Sequence, residues 1–92
     1  MEAIVSVIGK DKKGIIAQVS NILYKRNINI MDISQTILKR YFTMIMITDL
    51  REMTVSFTEL AKELDELGTE IGVSIRIQHQ DIFDAMHNID KE

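Results

Sequence analysis

The sequence predicts an α+β sandwich of strand–helix order β-α-β-β-α-β, the split βαβ or ferredoxin-like pattern, followed by a short tail helix. Three observations carry this. The apolar spacing switches between strand and helix periods in that order. The second and third strands follow each other with no helical spacing between them. No proline or linker composition interrupts the chain. The 92 residues make one domain, a core over 1–80 and a helical tail over 81–92.

Residues 2–9, EAIVSVIG, are a β-branched run that ends in glycine and predicts the first strand. Ile15, Ile16, Val19, Ile22 and Leu23 then recur at helical spacing, so residues 14–26 predict an amphipathic helix. Residues 27–40, NINIMDISQTILKR, are rich in β-formers, and YFTMIMITDL follows directly over 41–50. Lys39-Arg40 is the expected hairpin turn between them, without the usual Asn-Gly chemistry. Ser56 and Glu59 have the spacing of a capping box at the start of a second helix. Its apolar side is Phe57, Leu60, Ala61, Leu64, Leu67 and Ile71; Gly68 lies late in it and Gly72 is its expected end.

VSIRIQHQ, residues 73–80, alternates with Val73, Ile75 and Ile77 on one side, the pattern of a strand buried on one face. In the tail, Ile82, Phe83, Met86 and Ile89 share one side of a short helix with Asp81 as its candidate cap. Right-handed crossovers place the first and third strands in the centre of a four-stranded antiparallel sheet. Those two are apolar on both sides: Ile4 and Ile8 alternate with Val5 and Val7, and Met44 and Met46 with Ile45 and Ile47. Two helices cover only one face. The tail helix or a second copy is expected to cover the other, so the chain is expected to form a homodimer or higher homo-oligomer.

Composition narrows the functional classes. A formal charge of −3 argues against a nucleic-acid surface, and the central strands offer Met, Ile and Thr where RNA-recognition modules display aromatics. The absence of cysteine removes disulfides, thiolate metal sites and cysteine nucleophiles, and no cofactor is expected. No apolar run reaches the roughly 18 residues of a membrane span, and the start MEAIVSV lacks the features of a secretory signal. The cytoplasm is the expected compartment. Neither His79 nor His87 has a nucleophile or ligand partner at a recognisable spacing, so no catalysis is expected and a surface position is the simpler reading of each.

The loop after the first strand carries the functional signal. Gly9 and Gly14 have the gap of a phosphate-cradling P-loop, but Ile15 and Ile16 stand where that chemistry needs Lys and Ser or Thr. A helix N-terminus still offers free amides to an anion. Gly14 lets a carboxylate approach them, and Asp11 offers an acceptor to an ammonium group. The alternative is that Asp11 caps the helix and that Lys12 and Lys13 are only solvated.

Asp11-Lys12-Lys13-Gly14 between strand and helix, with Asn27-Ile28-Asn29-Ile30 opening the next strand, resembles the ACT domain, a small regulatory module of amino-acid metabolism. In that family the two segments read D-x-x-G or N-x-x-G, and Gly-x-Asn-Ile; here Asn27 occupies the glycine position and Lys12-Lys13 replaces a frequent Arg-Pro. The segments DISQTI, YFTMIMI and DIFDAMH resemble the stand-alone ACT proteins, which in turn resemble the ACT repeats of the glycine-cleavage transcriptional repressor. The resemblance covers the whole chain. It implies side-by-side pairing of two copies with an amino acid at the interface, contacted by Asp11 and Gly14 of one copy and Asn29 of the other. Lys12, Lys13 and Ile15, the rest of the loop and the first residue after it, complete the candidate ligand-binding set. A competing expectation is a protein-interaction module that docks an unidentified partner through a sheet edge or the tail helix, with no ligand; an enzyme ranks third.

Overall fold

The computed structural model describes residues 1–86. The elements are β1 (Glu2–Lys10), α1 (Ile15–Lys25), β2 (Asn29–Leu38), β3 (Tyr41–Asp49), α2 (Phe57–Ile71), β4 (Val73–His79) and α3 (Gln80–Met86). The four strands form one antiparallel sheet in the order β2-β3-β1-β4, so β1 and β3 are central as the pattern requires.

Local chemistry explains each boundary. Gly14 is the N-cap of α1 at φ 85 and ψ 3, a left-handed conformation that strains any residue with a Cβ. No side chain caps this helix, so Asp11 does not play the capping role offered to it; its backbone N–H instead donates to Arg40 O at 2.8 Å. After α1 the chain reverses at Asn27, φ 62, the left-handed position that follows many helix ends. Asparagine tolerates that conformation nearly as glycine does, which accounts for Asn27 at the glycine position. Lys39, the first residue of the two-residue β2–β3 turn, also has φ 60.

The capping box of α2 is formed: Ser56 Oγ accepts from the Glu59 N–H at 3.1 Å, and the Glu59 side chain accepts from the Ser56 N–H at 3.3 Å. Gly72 ends α2 in the left-handed conformation, and its N–H donates to Gly68 O at 2.8 Å. Gly9 and Gly68 approach Val73 closely; a Cβ at Gly9 would lie 2.7 Å from Val73 Cγ1, and one at Gly68 would lie 2.6 Å from Val73 O. Val73 is gripped between them, which seats α2 tightly on the β1–β4 half of the sheet.

The core lies between the sheet and the two long helices. Ala3, Val5 and Val7 of β1 and Phe42, Met44 and Met46 of β3 meet Ile15, Val19 and Leu23 of α1 and Leu60, Leu64 and Leu67 of α2. Thr48, the buried polar residue of this face, donates from Oγ1 to Ala3 O at 2.8 Å. On the outer face Ile4 is buried at the end of the sheet where α3 packs on β1 and β4, and Ile45 and Ile47 are half-buried. Ile8 is exposed in the single chain, at the end of this face that α3 does not reach.

The tail corrects one further expectation. Asp81 lies inside the first turn of α3, which starts at Gln80, and so is not its cap. In the single chain Ile82 is 52% exposed, whereas Phe83 is half-buried. Ile89 lies outside the described residues.

Arg26, at the C-terminus of α1, joins α2 through a two-pronged ion pair, Nε to Glu63 Oε1 at 2.9 Å and Nη2 to Oε2 at 2.7 Å. These hydrogen bonds hold the Glu63 carboxyl below its ordinary value of 4.5 against the opposing effect of burial. A lowered folded value means that the pair's contribution is complete above about pH 4.5 and is lost as pH falls through the folded value. Urea midpoints measured from pH 7 down to pH 3 should therefore fall less steeply in Glu63→Gln than in the parent. Parallel curves would show that the pair contributes nothing.

Candidate functional site

The segment Asp11-Lys12-Lys13-Gly14 bridges the end of β1 and the start of α1. Two contacts beyond the helix itself fix its path. The Asp11 N–H is bound to the β2–β3 turn at Arg40 O, and Lys12 Nζ donates to Ile71 O at 2.7 Å. The second contact puts a cation on the carbonyl end of α2, where the helix dipole favours it. Lys12 is thus engaged with α2 and does not present a free charge to a ligand.

Beside the loop lies an open trough of about 470 Å³. Asp11, Gly14 and Ile15 line one side of it, with Ile16 and Ala17 of the first turn of α1. Gln35 and Ile37 of β2 line the other, with buried Phe42 next to them. The first amides of α1 have no partners within the helix, so the trough combines an anion-seeking end, an acidic acceptor and an apolar wall. That set suits a small zwitterion with an apolar or small polar side chain.

The structure brings together Asp11, Lys12, Gly14 and Ile15 from the expected set. Lys13 is exposed and does not line the trough. Asn29 is elsewhere: it pairs with Asp49 at the other end of β2, in a hollow of about 190 Å³ shared with Asn27, Arg51 and Glu52. Between Asn29 and Ile37 the partner strand advances seven residues, Asp49 to Phe42, so at ~3.3 Å each Asn29 lies about 23 Å along β2 from Ile37. Beside it Arg51 binds Asp49 at 2.7 Å, and its hydrogen bonds hold the Asp49 carboxyl below the ordinary range.

Sequence reasoning missed Gln35 and Ile37. The signal was present, because the isoleucines of this strand change parity, from Ile28 and Ile30 to Ile33 and Ile37. A β-bulge between Ile30 and Asp32 produces that change and turns Ile33, Gln35 and Ile37 onto the helix-covered face. His79, expected at the surface, instead stacks on Phe57 with ring centroids 4.2 Å apart and is half-buried. Among the described residues no group of three or more His, Cys, Asp or Glu is placed to hold a metal ion, and no helix is long and apolar enough to cross a membrane.

Comparison with known proteins agrees with this fold. The family model described as the ACT domain matches residues 2–78. A UPF0237 protein of Clostridium acetobutylicum is 58% identical over 89 residues, covering 97% of this chain and 100% of the relative. A UPF0237 protein of Methanocaldococcus jannaschii is 50% identical over 86 residues, covering 94% of this chain and 96% of the relative. Among solved structures, an ACT domain protein from Streptococcus pneumoniae superposes with a TM-score of 0.79 at 44% identity, covering 91% of this chain and 94% of that one. A putative glycine cleavage system transcriptional repressor shares the fold at a TM-score of 0.72 and 20% identity, covering 86% of this chain and 45% of its own. From residue 2 to residue 78, therefore, this chain is an ACT domain, and it belongs to that family alongside the UPF0237 proteins.

Proposed function

We propose that the chain is a non-catalytic regulatory module of the cytoplasm that binds a free amino acid in the trough and completes the site by pairing with a second copy. The supporting observation is where the trough lies. It opens between the loop and β2, and β2 is an outer strand whose one sheet neighbour among the described residues is β3. Ile16, Ile33 and Ile37 are exposed along this flank and call for cover. A two-fold pairing of antiparallel β2 strands sets the Asn29 end of one copy beside the Ile37 end of the other. Asn29 then reaches a site that it cannot reach in its own chain. In this reading Asp11 takes the ammonium, the Gly14 and Ile15 amides take the carboxylate, and Asn29 of the second copy orients the ligand.

The test is a thermal-shift screen against the common amino acids, followed by two variants. A ligand at 100 times its Kd should stabilise by about 2.7 kcal/mol. Asp11→Ala and Asn29→Ala should each weaken binding about ten-fold, in keeping with one charged or polar hydrogen bond. Mixing the two variants should restore one intact site per mixed dimer, and with it part of the original affinity. No shift with any amino acid would refute ligand binding; no recovery on mixing would refute the shared site.

A further inference from the structure

We propose that the outer sheet face at the hairpin end, centred on Tyr41, is a docking surface for an acidic segment of another protein. Tyr41 is 57% exposed and Ile8 is 54% exposed. The register pairs Lys10 with Tyr41 and Ile8 with Thr43, so Tyr41 and Ile8 are diagonal neighbours on one face. Ile45, opposite Ser6, continues the apolar diagonal and is half-buried. At the other end of this face α3 packs on β1 and β4, and nothing described lies over the Tyr41 end.

Charge identifies the occupant. Although the chain is net acidic, Lys10, Lys12, Lys13, Lys39 and Arg40 all gather at this end of the sheet. Against them stand Asp11 in the loop and Glu70 in the last turn of α2. Lys12 is held by Ile71 O; Lys10, Lys13, Lys39 and Arg40 are exposed and form no ion pair among the described residues. An exposed aromatic and an isoleucine with a cationic rim are complementary to an acidic segment carrying one large apolar side chain. A nucleic acid fits less well, since the platform has a single aromatic and the chain as a whole is acidic. The patch is small, so the complex is expected to be weak, fast and salt-sensitive.

The experiment is an amide-shift titration of the full chain with a synthetic peptide of glutamates flanking one tryptophan. Lysine-substituted peptide and oligouridine are the comparison probes. Shifts should centre on Ile8, Lys10, Arg40 and Tyr41 and weaken several-fold on raising salt. Tyr41→Ser and the double variant Lys10→Glu with Arg40→Glu should each weaken the acidic peptide by about ten-fold, while Lys62→Glu on α2 changes it by less than about two-fold. Four results would overturn the proposal: no acidic-peptide binding, shifts centred elsewhere, tighter binding of oligouridine, or Tyr41→Ser converting a dimer to monomers. Because Tyr41 and Ile8 do not line the trough, an amino-acid site that fails its own screen leaves this test intact.

Discussion

Leu64→Ala should remove about 2–5 kcal/mol of stability, the range for deleting a buried leucine side chain when the surroundings cannot close over the gap. Leu64 is fully buried on the inner side of α2, with Leu60 one turn before it and Leu67 one turn after. Its neighbours are held on two sides, by the backbone ladder of the central strands and by α1. A domain of this size has a total stability of roughly 5–15 kcal/mol, so the loss is a large share of it. The melting temperature should fall by about 4–8 °C per kcal/mol. A urea midpoint within 0.5 kcal/mol-equivalent of the parent, on the order of experimental error, would show that the core refills itself.

Gly68→Ala should destabilise by about 1–3 kcal/mol, although the same change in an exposed helix gains up to about 1 kcal/mol. Sterics decide the sign. The new methyl would sit 2.6 Å from Val73 O, 3.3 Å from Ile75 Cγ1 and 3.4 Å from Ile75 N. The first of these is a backbone oxygen in a strand registered against Gly9, so it cannot rotate out of the way. Either α2 lifts off the sheet or β4 shifts its register. Thermal unfolding of Gly68→Ala at or above the parent's midpoint would contradict the close helix–sheet contact.

Much of this fold was legible because its signals are local. The Ser56–Glu59 box, the Gly72 stop, the alternation of Val73, Ile75 and Ile77 and the two-residue turn at Lys39-Arg40 each depend on residues a few positions apart. The strand order followed from crossover handedness and from the double-sided apolar character of β1 and β3. What escaped depends on distant pairing. The engagement of Lys12 joins residues 59 positions apart, so the loop's own sequence gives no sign that this lysine belongs to α2. Asp11 was a sound capping candidate by residue type, but the chain enters α1 through a left-handed Gly14, which leaves Asp11 too far back to bond the first turn. His79 could be assigned to the stack with Phe57 only once β4 was known to end beneath the start of α2. The trough was half visible: its loop side came from a motif, whereas its β2 side depends on a bulge that reverses which residues face inward.

The place of β1 between β3 and β4 has a consequence for how the chain is made. β1 leaves the ribosome before the other described elements, and β3 can cover one of its edges early. The other edge waits for Val73–His79. At translation speeds of about 5–20 residues per second, that wait is on the order of 3–15 seconds, far longer than a hairpin takes to form. Throughout it the nascent chain carries an open strand rich in valine and isoleucine, a template for pairing with a neighbouring chain. Synthesis arrested before β4 should therefore yield aggregates rather than a smaller folded domain, and fast elongation through α2 should raise the soluble yield.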